Sequence, residues 1–226
     1  MRTLWIIAAI ATILILAAIF GNKSGQETTA DAGAADTTAS DTVNTLADLR
    51  DGKRYKIAKM PDGKTWMTEN LNYATGGSCY DNKASNCAKY GRLYSWQTAA
   101  KACPAGFHLP SNQDWEDLVT AIGGRETAGK RLKSTSGWNA YEGKDGNGTD
   151  DFGFSALPGG YCQSGGSCEE TGNAGKWWTA TTYNAAEGFS EIADYRGMYY
   201  IDGSVYENTS LMDGEFSVRC VRNGTR

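Results

Sequence analysis

The chain has a single histidine, His108, among 226 residues, and that scarcity removes whole classes of chemistry. A Ser-His-Asp or Cys-His relay would have to use it, and no grouping of His and Cys has the spacing of a zinc site. It stands in the phrase GFHLP between two expected helices, where a structural or merely exposed role is the expectation. Basic runs are missing too. With a net charge of -4 and no stretch able to follow a phosphate backbone, nucleic acid is not an expected partner.

Long apolar runs are limited to Leu4 to Phe20, whose 17 residues fall short of the roughly 20 that cross a bilayer. Arg2 is the only charge before it, so the segment reads as a signal anchor or signal peptide. Ala17-Ala18-Ile19-Phe20-Gly21 lacks a clean pair of small residues for cleavage, which favours retention; cleavage would make the protein secreted. No cysteine follows the run, which excludes a lipoprotein. From Gly21 to about Asn44 the sequence is low in complexity and has too few large apolar groups to offset its ordering entropy. The expected organisation is therefore an anchor or signal over residues 1–22, a disordered linker over 23–46 and one domain over 47–226. Membrane attachment through the N-terminal segment and a cell-surface or periplasmic location follow from it. The last part, about 180 residues, suits a single core.

What the domain does have is cysteine. All six lie beyond the linker, which points to an oxidising compartment, and six allow 15 pairings. Cys79 and Cys87 are near neighbours, as are Cys162 and Cys168, which leaves Cys103 with Cys220.

Hydrophobic periodicity supplies the elements. Arg54 to Met60, the turn Pro61-Asp62-Gly63-Lys64 and Thr65-Trp66-Met67 read as an opening hairpin. Trp96, Ala99, Ala100 and Cys103 recur at helical spacing and predict one helical face, ended by Pro104 and Gly106. Ser111 and Asp114 form a capping-box-like start for a second helix carrying Trp115, Leu118, Val119 and Ile122, stopped at Gly123-Gly124. Beyond Ser134 the pieces are short, aromatic and punctuated by glycine. Tyr199 to Tyr206 reads as a hairpin turning on Asp202-Gly203, and Glu215 to Arg222 as a last strand with Phe216, Val218 and Cys220 on one face. The expected class is α+β.

A helix cysteine bonded to the terminal strand resembles the C-type-lectin-like fold, as does the succession SWQTAAKACPAGFHLPSNQDWEDL. That resemblance implies two helices packed on short antiparallel sheets, with long glycine-rich loops and disulfide staples. The phrases DGKRYKIAKMPDGKTWMTENLNY, CYDNKASNCAKYGRLYSWQTAAKACPAGFHLPS, GNGTDDFGFSALPGG, GKWWTAT and SVRCVR more closely resemble the Fibrobacter succinogenes major paralogous domain, and cover nearly all of residues 50 to 223. This second resemblance implies an extracellular domain linked to surface attachment or carbohydrate contact. GNAGKWWTAT is also similar to a phrase of the formylglycine-generating enzymes, in which a nearby cysteine pair holds copper; Cys162 and Cys168 would be its counterpart here.

Two groups of residues are candidates for binding. Tyr183, Tyr195, Tyr199, Tyr200 and Tyr206 offer aromatic planes to the C–H faces of sugars. Asp145, Asn147, Asp150 and Asp151, with Thr149, crowd hard oxygen ligands into DGNGTDD, a composition suited to calcium, although the twelfth position of an EF-hand-like loop is Ala156. The expected function is a non-catalytic extracellular or surface binding or adhesion module contacting polysaccharide or another surface protein. The alternatives are a formylglycine-generating-like oxidase and a structural envelope subunit.

Overall fold

The computed structural model describes residues 44–183 and 191–224. Two sheets carry the fold. The smaller contains β1 (Thr45–Ala47), β2 (Arg54–Lys59), β3 (Thr65–Met67) and β9 (Val221–Arg222), antiparallel in the order β1-β2-β3-β9. The larger contains β4 (Gly159–Cys162), β5 (Cys168–Thr171), β6 (Ala174–Tyr183), β7 (Ile192–Tyr199) and β8 (Tyr206–Leu211), in the order β5-β4-β6-β7-β8. Within it β4 is parallel to β6, and the other neighbours are antiparallel. Four helices accompany the sheets: α1 (Ala84–Tyr90), α2 (Trp96–Ala102), α3 (Asn112–Ala121) and α4 (Arg125–Leu132).

This arrangement corrects the expected two-helix, short-sheet, C-type-lectin-like fold; the α+β class and the disulfide staples stand. The helices that periodicity passed over bury few residues. In α1 these are Cys87 and Tyr90, and in α4 they are Ala128, Gly129 and Leu132. Gly123-Gly124, read as a stop, is also a restart: both residues have positive φ (111° and 89°), and Gly124 caps α4. Nor are the sheets uniformly short and antiparallel, since β6 runs for ten residues and β7 for eight. In α2 the buried residues are Ala99 and Ala102, Ala100 faces solvent, and Cys103 is extended beyond the end of the helix at Ala102.

α3 begins with a complete capping box, Ser111 and Asp114 each accepting from the other's backbone N–H. Its apolar stripe, Trp115, Leu118 and Val119 with Ile122 at the C-cap, packs with Trp66, Phe154 and Trp177 into one core. Trp66 and Trp115 meet edge to face at 5.0 Å, an arrangement worth roughly 1 kcal/mol beyond burial. A second core gathers Leu71, Tyr94, Trp178, Phe216, Val218 and Cys220.

The segment Glu215 to Arg222 runs between the two cores. Alternation sends Phe216, Val218 and Cys220 into the second core and Val221 into the first. Only Val221 and Arg222 form a regular strand; upstream, the backbone bridges to Cys162, Tyr94 and Trp177 in turn. Three disulfides complete the fold: Cys79–Cys87, Cys103–Cys220 and Cys162–Cys168.

Between β7 and β8 the turn is longer than two residues, spanning residues 200–205. Its backbone is drawn toward α4, where Lys133 Nζ donates to the Asp202 carbonyl at 2.8 Å and Lys130 N to the Gly203 carbonyl at 2.9 Å.

No helix among the described residues is long and apolar enough to cross a membrane. The expected membrane anchor, with the membrane contact and anchored location drawn from it, is corrected accordingly. The segment Leu4 to Phe20, on which it was placed, lies outside the described residues.

Candidate functional site

In the larger sheet, residues paired across strands share a face. Lys176 of β6 is opposite Gly197 of β7, which is opposite Tyr206 of β8; Trp178, Tyr195 and Asn208 form the next row. Tyr199 lies on this face one row from Gly197. The concavity on this face is a cleft beside Lys176, Tyr161 and Ser210, whereas Gly197, which carries no side chain, is buried under the Tyr199 ring. A Cβ there would approach the Tyr199 hydroxyl to 3.0 Å.

The walls are aromatic. Tyr199 and Tyr206 pack edge to face at 5.4 Å. At the cleft Lys176 Nζ lies 3.3 Å from the centre of the Tyr161 ring, with the Tyr195 and Phe216 rings at 5.1 and 5.3 Å. Burial pushes the Lys176 ammonium down to about 8, opposed in part by the charges of Glu170 and Glu169. The Tyr161 hydroxyl donates to Glu169 Oε2 at 3.1 Å, and burial followed by this carboxylate pushes it up to about 12. A cavity of about 260 Å³ adjoins Lys176 and Tyr161, with Gln163, Ser164, Ser210 and Asp213 as polar lining.

The five tyrosines picked from the sequence are spread across this region. Tyr199 and Tyr206 stand on the same sheet face as the cleft, and Tyr206, 37% exposed, donates its hydroxyl to Asp202. Tyr195 is the buried floor, edge-on to Trp178 and Phe216. Tyr200 leaves the cleft and packs against Tyr141 at 5.4 Å. Tyr183, at the end of β6 and 46% exposed, donates to Asp194 Oδ2 at 3.0 Å.

On the opposite face of the sheet, buried Asp194 also accepts from Asn112 Nδ2, and Arg196 Nη2 pairs with Glu207 at 3.2 Å. This polar cluster ties β7 and β8 to the start of α3. Tyr161, Lys176 and Gly197 were not singled out from the sequence. The phrase ADYRGMY holds the relevant signal, since its period-2 alternation puts Tyr195, Gly197 and Tyr199 on one side.

The oxygen-rich loop is occupied by its own bonds. Asp145 Oδ1 accepts from Asn147 N and Nδ2 at 3.0 and 2.7 Å, and Asn147 Oδ1 accepts from Trp138 N at 2.9 Å. Asp150 accepts from Ser155 N and Oγ, both at 2.6 Å, and Asp151 pairs with Arg131 at 2.7 Å. Among the described residues no group of three or more His, Cys, Asp or Glu side chains could hold a metal ion. His108 faces Asp114, with Nε2 at 3.6 Å from Oδ2.

These features define a disulfide-stapled α+β module whose larger sheet presents an aromatic cleft. Residues 62–222 match the profile of the Fibrobacter succinogenes major domain, and the chain belongs to that family. No curated protein and no solved structure matches it.

Proposed function

We propose that this chain is a non-catalytic binding module that holds polysaccharide on the tyrosine cleft. The observation that carries the reading is the concavity beside Lys176 and Tyr161 on one face of the larger sheet, with Tyr206 packed on Tyr199 further along the same face. Aromatic planes give a sugar ring apolar contact, while Asn208, Ser210 and Ser164 offer hydrogen-bonding groups nearby. The oxidase alternative requires free thiols at Cys162 and Cys168, which here are bonded to each other.

The test is a glycan array followed by titration calorimetry on the full chain. Tyr199→Ala with Tyr206→Ala is expected to weaken binding of the selected neutral glycan at least tenfold, with the melting temperature held within a few degrees. Failure of the wild type to bind any glycan, while capturing a surface protein, would replace polysaccharide with a protein partner.

A further inference from the structure

A second concavity lies between β2, the turn after β3 and the C-terminal end of α1, with a volume of about 410 Å³. Its lining is unusual for a chain of net charge -4, because Lys53, Arg54, Lys56 and Lys89 contribute four cations against the single acid Glu69. Two of the four are already neutralised: Lys53 by Asp51 at 3.1 Å, and Lys56 in part by Glu69 at 3.8 Å. Arg54 and Lys89 are not. Arg54 gives one guanidinium nitrogen to Thr45 Oγ1, which fixes the group and leaves its other donors free. Lys89 rests over the Tyr90 ring at 4.7 Å, and no acid among the described residues pairs with either side chain.

The wall behind this rim adds a fifth positive charge. Arg219 is fully buried, and its acceptors are all neutral: Asn70 Oδ1 at 2.8 Å, the Phe154 carbonyl, and the Ser155 carbonyl at 2.7 Å. Asn70 and Ser155 themselves line the concavity. A buried guanidinium with no carboxylate partner projects its field through a medium of low dielectric, so screening by salt is weak on that side. Gly91 packs its backbone directly against the turn after β3, where a Cβ would lie 2.7 Å from Asn70 Cβ and 2.9 Å from the Leu71 carbonyl, so backbone forms this part of the wall.

We infer that this concavity is a binding site for a carboxylate-bearing saccharide, with the uronate carboxylate held between Arg54 and Lys89. A guanidinium offers paired donors that match a planar carboxylate. The volume accepts one or two sugar units, and Thr68, Asn72 and the exposed backbone supply partners for hydroxyls. The site is independent of the tyrosine cleft: it shares no residue with it and selects by charge rather than by aromatic stacking.

The probes are tri-galacturonate, its methyl ester, a neutral oligosaccharide of equal length and inorganic phosphate, titrated into the full chain at low and high salt. Tri-galacturonate is expected to bind, the ester and the neutral sugar at least tenfold more weakly, and the affinity to fall as salt rises. Arg54→Gln and Lys89→Gln should each weaken binding about tenfold. Lys101→Gln, the same charge change on exposed α2, should leave it unchanged, as should Tyr199→Ala with Tyr206→Ala. Equal binding of the ester, or an affinity indifferent to Arg54→Gln and Lys89→Gln, overturns the proposal. Phosphate binding as tightly as the saccharide overturns the saccharide assignment. Loss of neutral-glycan binding in the tyrosine variants, with galacturonate binding intact, separates the two sites.

Discussion

Asn70 and Arg219, 149 residues apart in the chain, meet inside the protein, where the Asn70 side-chain oxygen accepts the Arg219 Nε–H at 2.8 Å. The same oxygen accepts Trp177 Nε1 at 2.9 Å, and Asn70 Nδ2 donates to the Tyr90 carbonyl at 2.8 Å. One amide thus joins the turn after β3, the long strand β6, α1 and the last segment of the chain. Asn70→Leu keeps much of the volume and removes the acceptor, leaving an indole N–H and a buried cation short of a partner. The expected cost is about 3 to 5 kcal/mol, read as a fall in the urea midpoint. Asn70→Asp keeps the acceptor and supplies Arg219 with a counter-charge, so it should cost less than Asn70→Leu. Equal losses would show that shape, rather than the acceptor, matters at this position.

The long staple should matter more than the local ones. Cys103–Cys220 spans 117 residues, Cys162–Cys168 only six. On the chain-entropy model these closures contribute about 5 and about 2 kcal/mol respectively. Replacing Cys103 and Cys220 together by alanine should therefore lower the urea midpoint about twice as far as replacing Cys162 and Cys168. Comparable losses would mean that the hairpin of β4 and β5 depends on its own bridge beyond loop entropy.

How far the sequence announces this architecture depends on how many side chains each element buries. α3 was legible because its stripe of Trp115, Leu118, Val119 and Ile122 and its Ser111–Asp114 cap agree. The opening hairpin was legible from Pro61-Asp62-Gly63-Lys64. By contrast α4 buries Ala128, Gly129 and Leu132 only, and its place is set by long-range packing: a Cβ on Gly129 would lie 2.4 Å from the Ser204 carbonyl. Of the cleft, Tyr199 and Tyr206 could be picked out as aromatics. Lys176 could not, because its role depends on a strand register that places it under Tyr161 and beside Gly197. Tyr195 shows the limit from the other side, since alternation leaves open which face of a strand is covered.

Gly197 tests the Tyr199 ring that lies over it. Its backbone is extended in β7, so alanine is tolerated by φ, and the stability change should stay within about 1 kcal/mol. A methyl group there meets Tyr199 Oη at 3.0 Å and Cε2 at 3.1 Å, so the ring must move. Gly197→Ala is expected to weaken neutral-glycan binding severalfold by calorimetry while the urea midpoint barely changes. Unchanged affinity would take Tyr199 out of the binding site.

Calcium would have to displace bonds that the DGNGTDD loop already makes. Asp151 would give up Arg131, and Asp150 would give up two bonds to Ser155. Addition of EGTA should leave the melting temperature within about 1 °C. A rise of several degrees on adding millimolar calcium would show that the loop reorganises around the ion, since a ligand bound only by the folded state stabilises it.

Lys133 provides a test with a definite pH window. It is buried, and Nζ donates to the carbonyls of Gly146 at 2.7 Å, Asp202 at 2.8 Å and Tyr199 at 3.0 Å, so one ammonium gathers three backbone segments. Burial pushes its pKa from 10.5 down to about 8. At pH 7 the folded and unfolded chains both carry the proton, and the difference in stability between wild type and Lys133→Met is flat; the lost bonds should make the variant about 2 to 4 kcal/mol weaker. Between pH 8 and 10.5 the folded chain releases the proton while the unfolded chain retains it. The unfolded state then binds more protons, so wild-type stability rises with pH relative to Lys133→Met, by about 2 to 3 kcal/mol at pH 10. Tyrosine titration, which begins in the unfolded chain near pH 10, is common to both proteins and cancels in the comparison. Urea unfolding of the pair at pH 7, 8, 9 and 10 measures this difference. A flat result across the series would mean that the three carbonyls hold the proton against the cost of burying it.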